Sequence, residues 1–202
     1  MANNIVWQDY KISRTELEHL QRHRSLCVWF TGLSGAGKST LANAVQQQMH
    51  ELSIHTYLLD GDNMRHGLNE DLGFSAEDRK ENVRRVAEVA NLFVDAGVIA
   101  ITALISPFEE DRAMARSKFH PDDYIEVFVD CPIETCIERD PKGLYKKAQD
   151  GLISNFTGIS SPYETPQNSE VTVNTSQHTI NECVEQIMDY ILNKIQLNVV
   201  IS

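Results

Sequence analysis

The fold is decided by the stretch Gly32-Leu33-Ser34-Gly35-Ala36-Gly37-Lys38-Ser39, which matches the pattern G-x-x-x-x-G-K-[ST] at every fixed position. The apolar residues 26–31 before it are typical of a buried strand, and residues 40–46 after it are typical of a helix. The alternative is a glycine turn that matches by chance. Because a strand, a glycine-rich turn and a helix start are the context in which this pattern binds phosphate, we predict a phosphate-binding loop.

This loop has the chemistry to hold a nucleoside triphosphate. Its glycines leave backbone N–H groups free to point at phosphate oxygens, and the helix that follows adds partial positive charge. Lys38 can reach the β- and γ-phosphates, and the Ser39 hydroxyl can bind Mg²⁺. We therefore expect Mg²⁺ as the cofactor, with Ser39 as its ligand.

Composition and charge narrow the class of protein. The 202 residues suit a single domain, and 42% apolar residues is ordinary for a globular protein. The net charge of −11 argues against a nucleic-acid partner, which would need a basic face. The sequence has no long apolar run, no secretory signal and no C-x-x-C pair among its four cysteines. We expect a cytoplasmic protein with reduced thiols and no membrane partner.

Strand and helix patterns alternate along the chain. Strands are predicted at 26–31, 56–59, 98–105, 124–129 and 171–173, with helices at 15–20, at 76–96 after the N-cap Ser75, and after the capping box at Thr179. The alternation predicts a three-layer α/β fold with a mostly parallel five-stranded central sheet and ligands at the carboxyl ends of its strands. No repeat or linker divides residues 1–202, so we predict one domain with an N-terminal extension at 1–25.

Residues 140–166 break this alternation. The segment is polar, rich in glycine and lysine, and only weakly periodic. A long segment of this kind in a compact domain is more often a functional lid than a passive surface loop, which is the alternative. We predict a lid.

Two carboxylates follow the second predicted strand. Asp60 and Asp62 lie at the sheet edge that also carries the phosphate loop. One carboxylate can orient a hydroxyl nucleophile and accept its proton, and the other can assist Mg²⁺. The alternative, an ordinary Asp-Gly turn, suits Asp60 more than Asp62.

Candidate anion-binding and stacking residues come next. Arg65 and Arg79 have the planar guanidinium that grips phosphate or sulfate, and Asn82 lies within one helical turn of Arg79. Phe74 can stack on a base, although an aromatic ring taken alone is more often a core residue. Ser106 follows the third strand and can bind a ligand, or it can simply begin a turn before Pro107.

Taken together, these motifs give a family resemblance. The chain resembles the adenylylsulfate kinases (APS kinases), which have a P-loop kinase fold, over nearly its whole length. The matching stretches are VWFTGLSGAGKST at 28–40, DGDNMRHGLN at 60–69, DLGFS at 71–75, ENVRR at 81–85, ISP at 105–107, RDPKGLYKK at 139–147 and FTGI at 156–159.

The resemblance implies transfer of the ATP γ-phosphate to the 3′-hydroxyl of adenosine 5′-phosphosulfate (APS), which gives 3′-phosphoadenosine 5′-phosphosulfate (PAPS) and ADP. It also implies a homodimer, for which the residues before the first strand are interface candidates. Within that segment, Trp7 and Tyr10 can pack either on the body of the chain or on a partner chain. We expect residues 32–40 and Arg139 to bind ATP. The candidate catalytic residues are Lys38, Asp60, Asp62 and Ser106, and of these Asp62 is the best candidate to orient and deprotonate the 3′-hydroxyl. The acceptor residues that the resemblance implies are Asp62, Arg65, Phe74, Arg79, Asn82, Ile105, Ser106, Lys147 and Phe156, with Phe74 and Phe156 on either side of the adenine.

Two features depart from the family pattern, and two alternative functions stay open. Glu109 stands where the family usually has arginine, and residues 166–173 fit the family loosely. A phosphoserine at the position of Ser106 has been described for the family, but direct transfer needs only positioning, Mg²⁺ and charge neutralisation. The alternatives are another small-molecule kinase of this fold and a regulatory nucleotide-binding module without turnover. The intact Lys38, Ser39, Asp60 and Asp62 disfavour the regulatory module.

Overall fold

The sheet has five strands, all parallel. A computed structural model describes residues 5–6 and 8–197 of the chain. The strand order is β2-β3-β1-β4-β5, so β1 lies in the centre, where Val28 pairs with Ile101 on one side and Ile125 on the other. The strands are β1 (Cys27–Thr31), β2 (Thr56–Asp60), β3 (Ile99–Ala103), β4 (Tyr124–Asp130) and β5 (Val171–Asn174).

Eight α-helices are found in the described part of the chain. They are α1 (Arg14–Gln21), α2 (Lys38–Glu51), α3 (Gly61–Met64), α4 (Ala76–Asp95), α5 (Glu109–Arg116), α6 (Ile133–Arg139), α7 (Leu144–Gln149) and α8 (Ile180–Lys194). The predicted caps of the two longest are present: the Ser75 hydroxyl accepts from the N–H of Asp78 before α4, and Thr179 forms a capping box before α8.

The three layers follow from the alternation of side chains along the central strand. Val28 and Phe30 of β1 join a core with α2 and α8, whereas Cys27 and Trp29 join a second core with α4 and α5. Because all of β1 is buried, each face of the sheet must be covered by helices. The predicted α/β fold is confirmed.

Glycines let the phosphate loop turn sharply between β1 and α2. Gly32 has φ +152°, and a Cβ there would lie 2.6 Å from the Val129 carbonyl oxygen. Gly37, at φ +101°, caps the N-terminus of α2 in a conformation that side chains rarely adopt. The loop therefore lies at the carboxyl end of the central strand.

Several predicted boundaries and environments change in the structure. Strand β3 is shorter than predicted, because the chain leaves the sheet after Ala103 and turns at Ser106, where φ is +38°. Residues 140–166 are not featureless: they contain α7, whose Tyr145 is buried. Tyr10 is 84% exposed and does not pack on the body of the chain, and Trp7 lies outside the described residues.

The structure also bears on the cysteines and on membrane-spanning helices. The four cysteines are buried and unpaired, as predicted. Among the described residues, no helix is both long and apolar enough to span a membrane.

Candidate active site

Two cavities meet at the phosphate loop, and Lys38, Ser39 and Lys142 line both. The cavity beside Asp60 and Asp62 is called the acceptor cavity, after the predicted acceptor residues that line it. The cavity beside α6 is called the donor cavity, after the predicted ATP residues that line it. The acceptor cavity is also lined by Gly61, Arg65, Phe74, Arg79, Asn82, Val83, Ala103, Leu104, Ile105, Ser106 and Pro107. The donor cavity is also lined by Gly35, Gly37, Thr40, Leu41, Arg139, Pro141, Thr175, His178 and Ile180.

Lys38 begins α2 and is buried beneath the loop. Its ammonium donates to the carbonyl oxygens of Gly32, at 2.9 Å, and Leu33, at 2.8 Å. Burial lowers the pKa of Lys38 to about 8, with a smaller contribution from the positive charge of Lys142. The side chain is thus held at the junction of the two cavities.

The rest of the loop is fixed by neighbouring segments. The Tyr145 hydroxyl donates to the carbonyl oxygen of Ser34 at 3.0 Å, and the Thr175 hydroxyl donates to that of Ala36 at 2.8 Å. Ala36 itself is buried in the core. These contacts tie the loop to α7 and to the end of β5.

Ser39 and Asp60 bring two hard oxygens together. The Ser39 hydroxyl donates to the Asp60 carboxylate at 2.6 Å, and the other oxygen of that carboxylate accepts from the N–H of Asp62 at 2.9 Å. Both side chains face the acceptor cavity. A hydroxyl beside a carboxylate is a donor set that Mg²⁺ accepts, completed by phosphate oxygens and water. The sequence predicts Ser39 as the Mg²⁺ ligand and leaves open which aspartate assists it, and the contact with Ser39 favours Asp60.

Asp62 lies in α3 and is exposed. Its carboxylate accepts from the ammonium of Lys142, which comes from the lid segment. This ion pair links α3 to residues 80 positions away in the chain, and both of its members line the acceptor cavity.

Arg65 and Phe74 form one wall of the acceptor cavity. The Arg65 guanidinium lies 4.4 Å from the centroid of the Phe74 ring and donates to the carbonyl oxygens of Leu72 and Gly73. Phe74 is 59% exposed. An exposed ring braced by a guanidinium is a stacking surface rather than a core residue.

Arg79 and Asn82 project from α4 into the same cavity. Arg79 donates to the Phe74 carbonyl oxygen, to the Asn155 carbonyl oxygen at 2.8 Å and to the Thr157 hydroxyl at 3.1 Å. Asn82 accepts from the amide of Asn69 through its Oδ1, so its own N–H groups are free to face the cavity. Arg79 therefore also holds residues 155–157, which belong to the predicted lid.

Ile105 and Ser106 close the base of the cavity. The Ser106 hydroxyl is buried, donates to Thr31 Oγ1 at 3.0 Å and accepts from the Trp29 ring N–H at 3.1 Å. The carbonyl oxygen of Ile105 accepts from Thr31 at 2.7 Å.

The donor cavity is organised by Arg139. Its guanidinium donates to the hydroxyl of Thr175 at 3.1 Å and to the carbonyl oxygen of the same residue at 2.6 Å. His178 and Ile180 complete the far wall. The sequence predicts none of Thr175, His178 and Ile180 in the site, because none of the stretches that carry the family resemblance lies after residue 159.

Two predicted acceptor residues lie away from the acceptor cavity. Phe156 is only 7% exposed and meets Tyr145 edge-on, with the ring centroids 5.0 Å apart. Lys147 is exposed on α7, since the turn of that helix buries Tyr145 and Ala148 instead. This arrangement differs from the predicted one: an apolar ring gains by burial, and the lid lysine that reaches the cavities is Lys142.

A comparison with known protein families identifies the family of this chain. The family model for adenylylsulphate kinase matches residues 24–174. The chain belongs to the adenylylsulphate kinase family. Its α/β fold and its kinase class, both predicted from the sequence, are confirmed.

Individual relatives cover nearly all of the chain. The adenylyl-sulfate kinase of Clostridium acetobutylicum is 56% identical over 190 residues, which is 94% of each chain. A solved APS kinase of Mycobacterium tuberculosis, in complex with AMPPNP and APS, is 48% identical and has a TM-score of 0.80, over 84% of this chain and 98% of that one. A hexameric APS kinase from Thiobacillus denitrificans is 31% identical with a TM-score of 0.65, over 89% of this chain and 32% of that one.

Proposed function

We propose that this kinase transfers the γ-phosphate of ATP to the 3′-hydroxyl of adenosine 5′-phosphosulfate. The observation that carries the proposal is the shared lining of the two cavities, which converge on Lys38, Ser39 and Lys142. Phosphoryl transfer needs donor and acceptor to meet in line at one phosphate, with positive charge around it. Family membership supports this donor and this acceptor, and the solved relative holds AMPPNP and APS.

ATP lies in the donor cavity in this proposal. The N–H groups of residues 32–40 cradle its phosphates, Lys38 contacts the β- and γ-phosphates, and Arg139 flanks the nucleoside. Ser39 and Asp60 hold Mg²⁺, which supplies charge neutralisation on the phosphates when it is bound. The 2.6 Å contact between the two side chains supports this role.

The acceptor lies against Phe74 in this proposal. Its adenine stacks on the exposed ring, Arg65 and Arg79 bind its anionic groups, and Asn82 donates to one of its oxygens. Asp62 orients the 3′-hydroxyl and accepts its proton. Ile105 and Ser106 shape the pocket, and no phosphoserine is formed.

Residues 140–166 act as the lid in this proposal. Lys142 contacts Asp62, and the carbonyl oxygen of Asn155 and the hydroxyl of Thr157 accept from Arg79, so the segment is tied to the acceptor cavity at two places. Phe156 lies between the two residues held by Arg79. An acceptor that takes Arg79 as its partner releases this stretch, and the Phe156 ring can then take its place opposite Phe74. Lys147 remains the less well supported lid contact, because it is exposed.

We further propose that the kinase works in the cytoplasm as a homodimer. The apolar residues Ile5, Tyr10 and Ile12 are 89%, 84% and 58% exposed, which supports an interface formed by the N-terminal extension. Helix α1, by contrast, is held on its own chain by an ion pair between Arg14 and Asp123 at 2.6 Å.

An acceptor screen tests the proposed function. ADP release is measured with ATP and Mg²⁺ and, in turn, with APS, AMP, shikimate or no acceptor. We expect turnover with APS alone. Turnover with another acceptor would identify a different small-molecule kinase, and nucleotide binding without turnover would identify a regulatory module.

A further inference from the structure

The turn at residues 105–107, called the acceptor turn, is held in a strained conformation. Ser106 has φ +38°, in the left-handed region that residues other than glycine seldom occupy. Such a conformation persists only where surrounding contacts hold it. The side chains that hold it have no part in the proposed chemistry.

Thr31 is the first of these side chains. Its hydroxyl donates to the Ile105 carbonyl oxygen at 2.7 Å and accepts from the Ser106 hydroxyl at 3.0 Å. Its remaining lone pair faces the Tyr163 hydroxyl at 2.9 Å, so Tyr163 is the donor. Every hydrogen-bonding position of Thr31 is therefore used, and one of them reaches the far end of the lid segment.

Arg112 is the second. It is 3% exposed, and its guanidinium donates to the Ser106 carbonyl oxygen at 2.9 Å and to the Glu164 carbonyl oxygen at 2.7 Å. Its Nε lies 3.1 Å from the buried Glu126 carboxylate. A buried guanidinium thus joins the acceptor turn to the lid segment through two separate nitrogens.

Residues 163–164, called the strap, complete this arrangement. The N–H of Glu164 donates to the Pro107 carbonyl oxygen at 2.8 Å, and the Tyr163 ring stacks on Phe128 with centroids 6.1 Å apart. Burial raises the pKa of Tyr163 to about 12, which keeps its hydroxyl protonated as a donor.

We infer that Arg112 and Tyr163 are positioning residues for the acceptor. They clamp the strap onto the acceptor turn and so fix the surface that Ile105 and Ser106 present to the acceptor cavity. The inference rests on the proposed function, because it assumes that the acceptor binds in that cavity. It predicts that weakening the clamp lowers the affinity for the acceptor and leaves the affinity for ATP nearly unchanged.

Two variants and one control test the clamp. Tyr163→Phe removes only the hydroxyl, and the ring can stay on Phe128. Arg112→Lys keeps a positive charge beside Glu126 but loses the two-armed contact. Tyr57→Phe is the matched control, since Tyr57 lies on β2, stacked on Phe93 and away from both cavities. Calorimetric titrations give the dissociation constants for APS and for AMPPNP, thermal melts report folding, and steady-state rates give the KM for each substrate.

For Tyr163→Phe we expect the dissociation constant and the KM for APS to rise about fivefold, the scale of one lost hydrogen bond, with AMPPNP binding changed less than about twofold. Arg112→Lys should raise both APS constants by about tenfold or more, and Tyr57→Phe should resemble the wild type. The inference is overturned if Tyr163→Phe leaves APS binding unchanged, or if it weakens AMPPNP as much as APS. A wild-type chain that does not bind APS at all would instead overturn the proposed function.

Discussion

Lys38 is a cation whose surroundings oppose its charge. Within the described part of the chain, the hydrogen-bond acceptors of its ammonium are carbonyl oxygens and no carboxylate, and burial lowers its pKa to about 8. Bound phosphates favour the protonated form, so nucleotide binding should take up a proton once the pH exceeds this value.

The first prediction concerns this proton. As the pH rises through about 8 the free chain loses the Lys38 charge, so affinity for ATP should fall about tenfold between pH 7 and pH 9. Isothermal titration in buffers of different ionisation enthalpy measures both the affinity and the proton uptake. Lys38→Met should bind weakly at either pH. A wild-type affinity that is flat across this range, together with normal binding by Lys38→Met, would remove Lys38 from the phosphate site.

Ser106 gives the second prediction. Its hydroxyl is buried between Trp29 and Thr31, with no general base among its hydrogen-bond partners. Ser106→Ala should therefore retain turnover within about tenfold of the wild type, the loss expected from one or two hydrogen bonds. Steady-state rates measure this. Isolation of a phosphoserine enzyme that passes its phosphate to the acceptor would contradict it.

At the scale of residues, the positions of motif residues could be predicted from the sequence, but the hydrogen-bond partners of individual side chains could not. The phosphate-loop pattern placed Lys38 and Ser39 correctly at the sheet edge, because a short contiguous motif carries its own geometry. No role was predicted for Arg112, Tyr163 or Asn69, since their contacts join separate segments of the chain. Phe156 was predicted at a stacking position, but burial against Tyr145 decides its place in this structure.

For the predicted lid, the sequence did not show which lysine contacts the site. A run of lysines at 142, 146 and 147 does not say which of them faces the site, because the start of a six-residue helix is hard to predict. Helix α7 begins at Leu144 and buries Tyr145 and Ala148, so Lys142 precedes it and points to both cavities.

The third prediction compares two of these lysines. Lys142→Ala should lower turnover by about 10² or more, because it removes positive charge from the point where the cavities meet. Lys147→Ala, on the exposed face of the same segment, should stay within about threefold of the wild type. Steady-state kinetics of both variants decide the matter. Equal losses would mean that the lid acts through its overall charge and not through one residue.

The secondary-structure elements themselves were largely predictable. The uniformly apolar β1 and the 3.6-residue period of α4 each have a strong signal, and their caps at Ser75 and Thr179 are local. Strand β3 ended early because the turn at Ser106 is imposed by tertiary contacts that no local pattern encodes.

For the whole molecule, the exposed apolar N-terminal residues give the fourth prediction. Sedimentation equilibrium should report about twice the 22.9 kDa chain mass. Tyr10→Asp combined with Ile12→Asp should shift the protein to the monomer mass, because charge cannot be buried in an apolar interface. Leu52→Asp, at an exposed site at the end of α2, is the control. A wild-type monomer, or a dimer that both sets of changes leave intact, would contradict the proposed interface.

In the proposed function, one phosphoryl group passes from ATP in the donor cavity to a ribose 3′-hydroxyl in the acceptor cavity. The most direct test incubates the wild-type kinase with ATP and Mg²⁺ and either APS or its 3′-deoxy analogue, and follows ADP release and the product by phosphorus NMR. We predict ADP release with APS only, with the new phosphate on the 3′-oxygen. Equal ADP release with the 3′-deoxy analogue, or a phosphate at any other position, would contradict it.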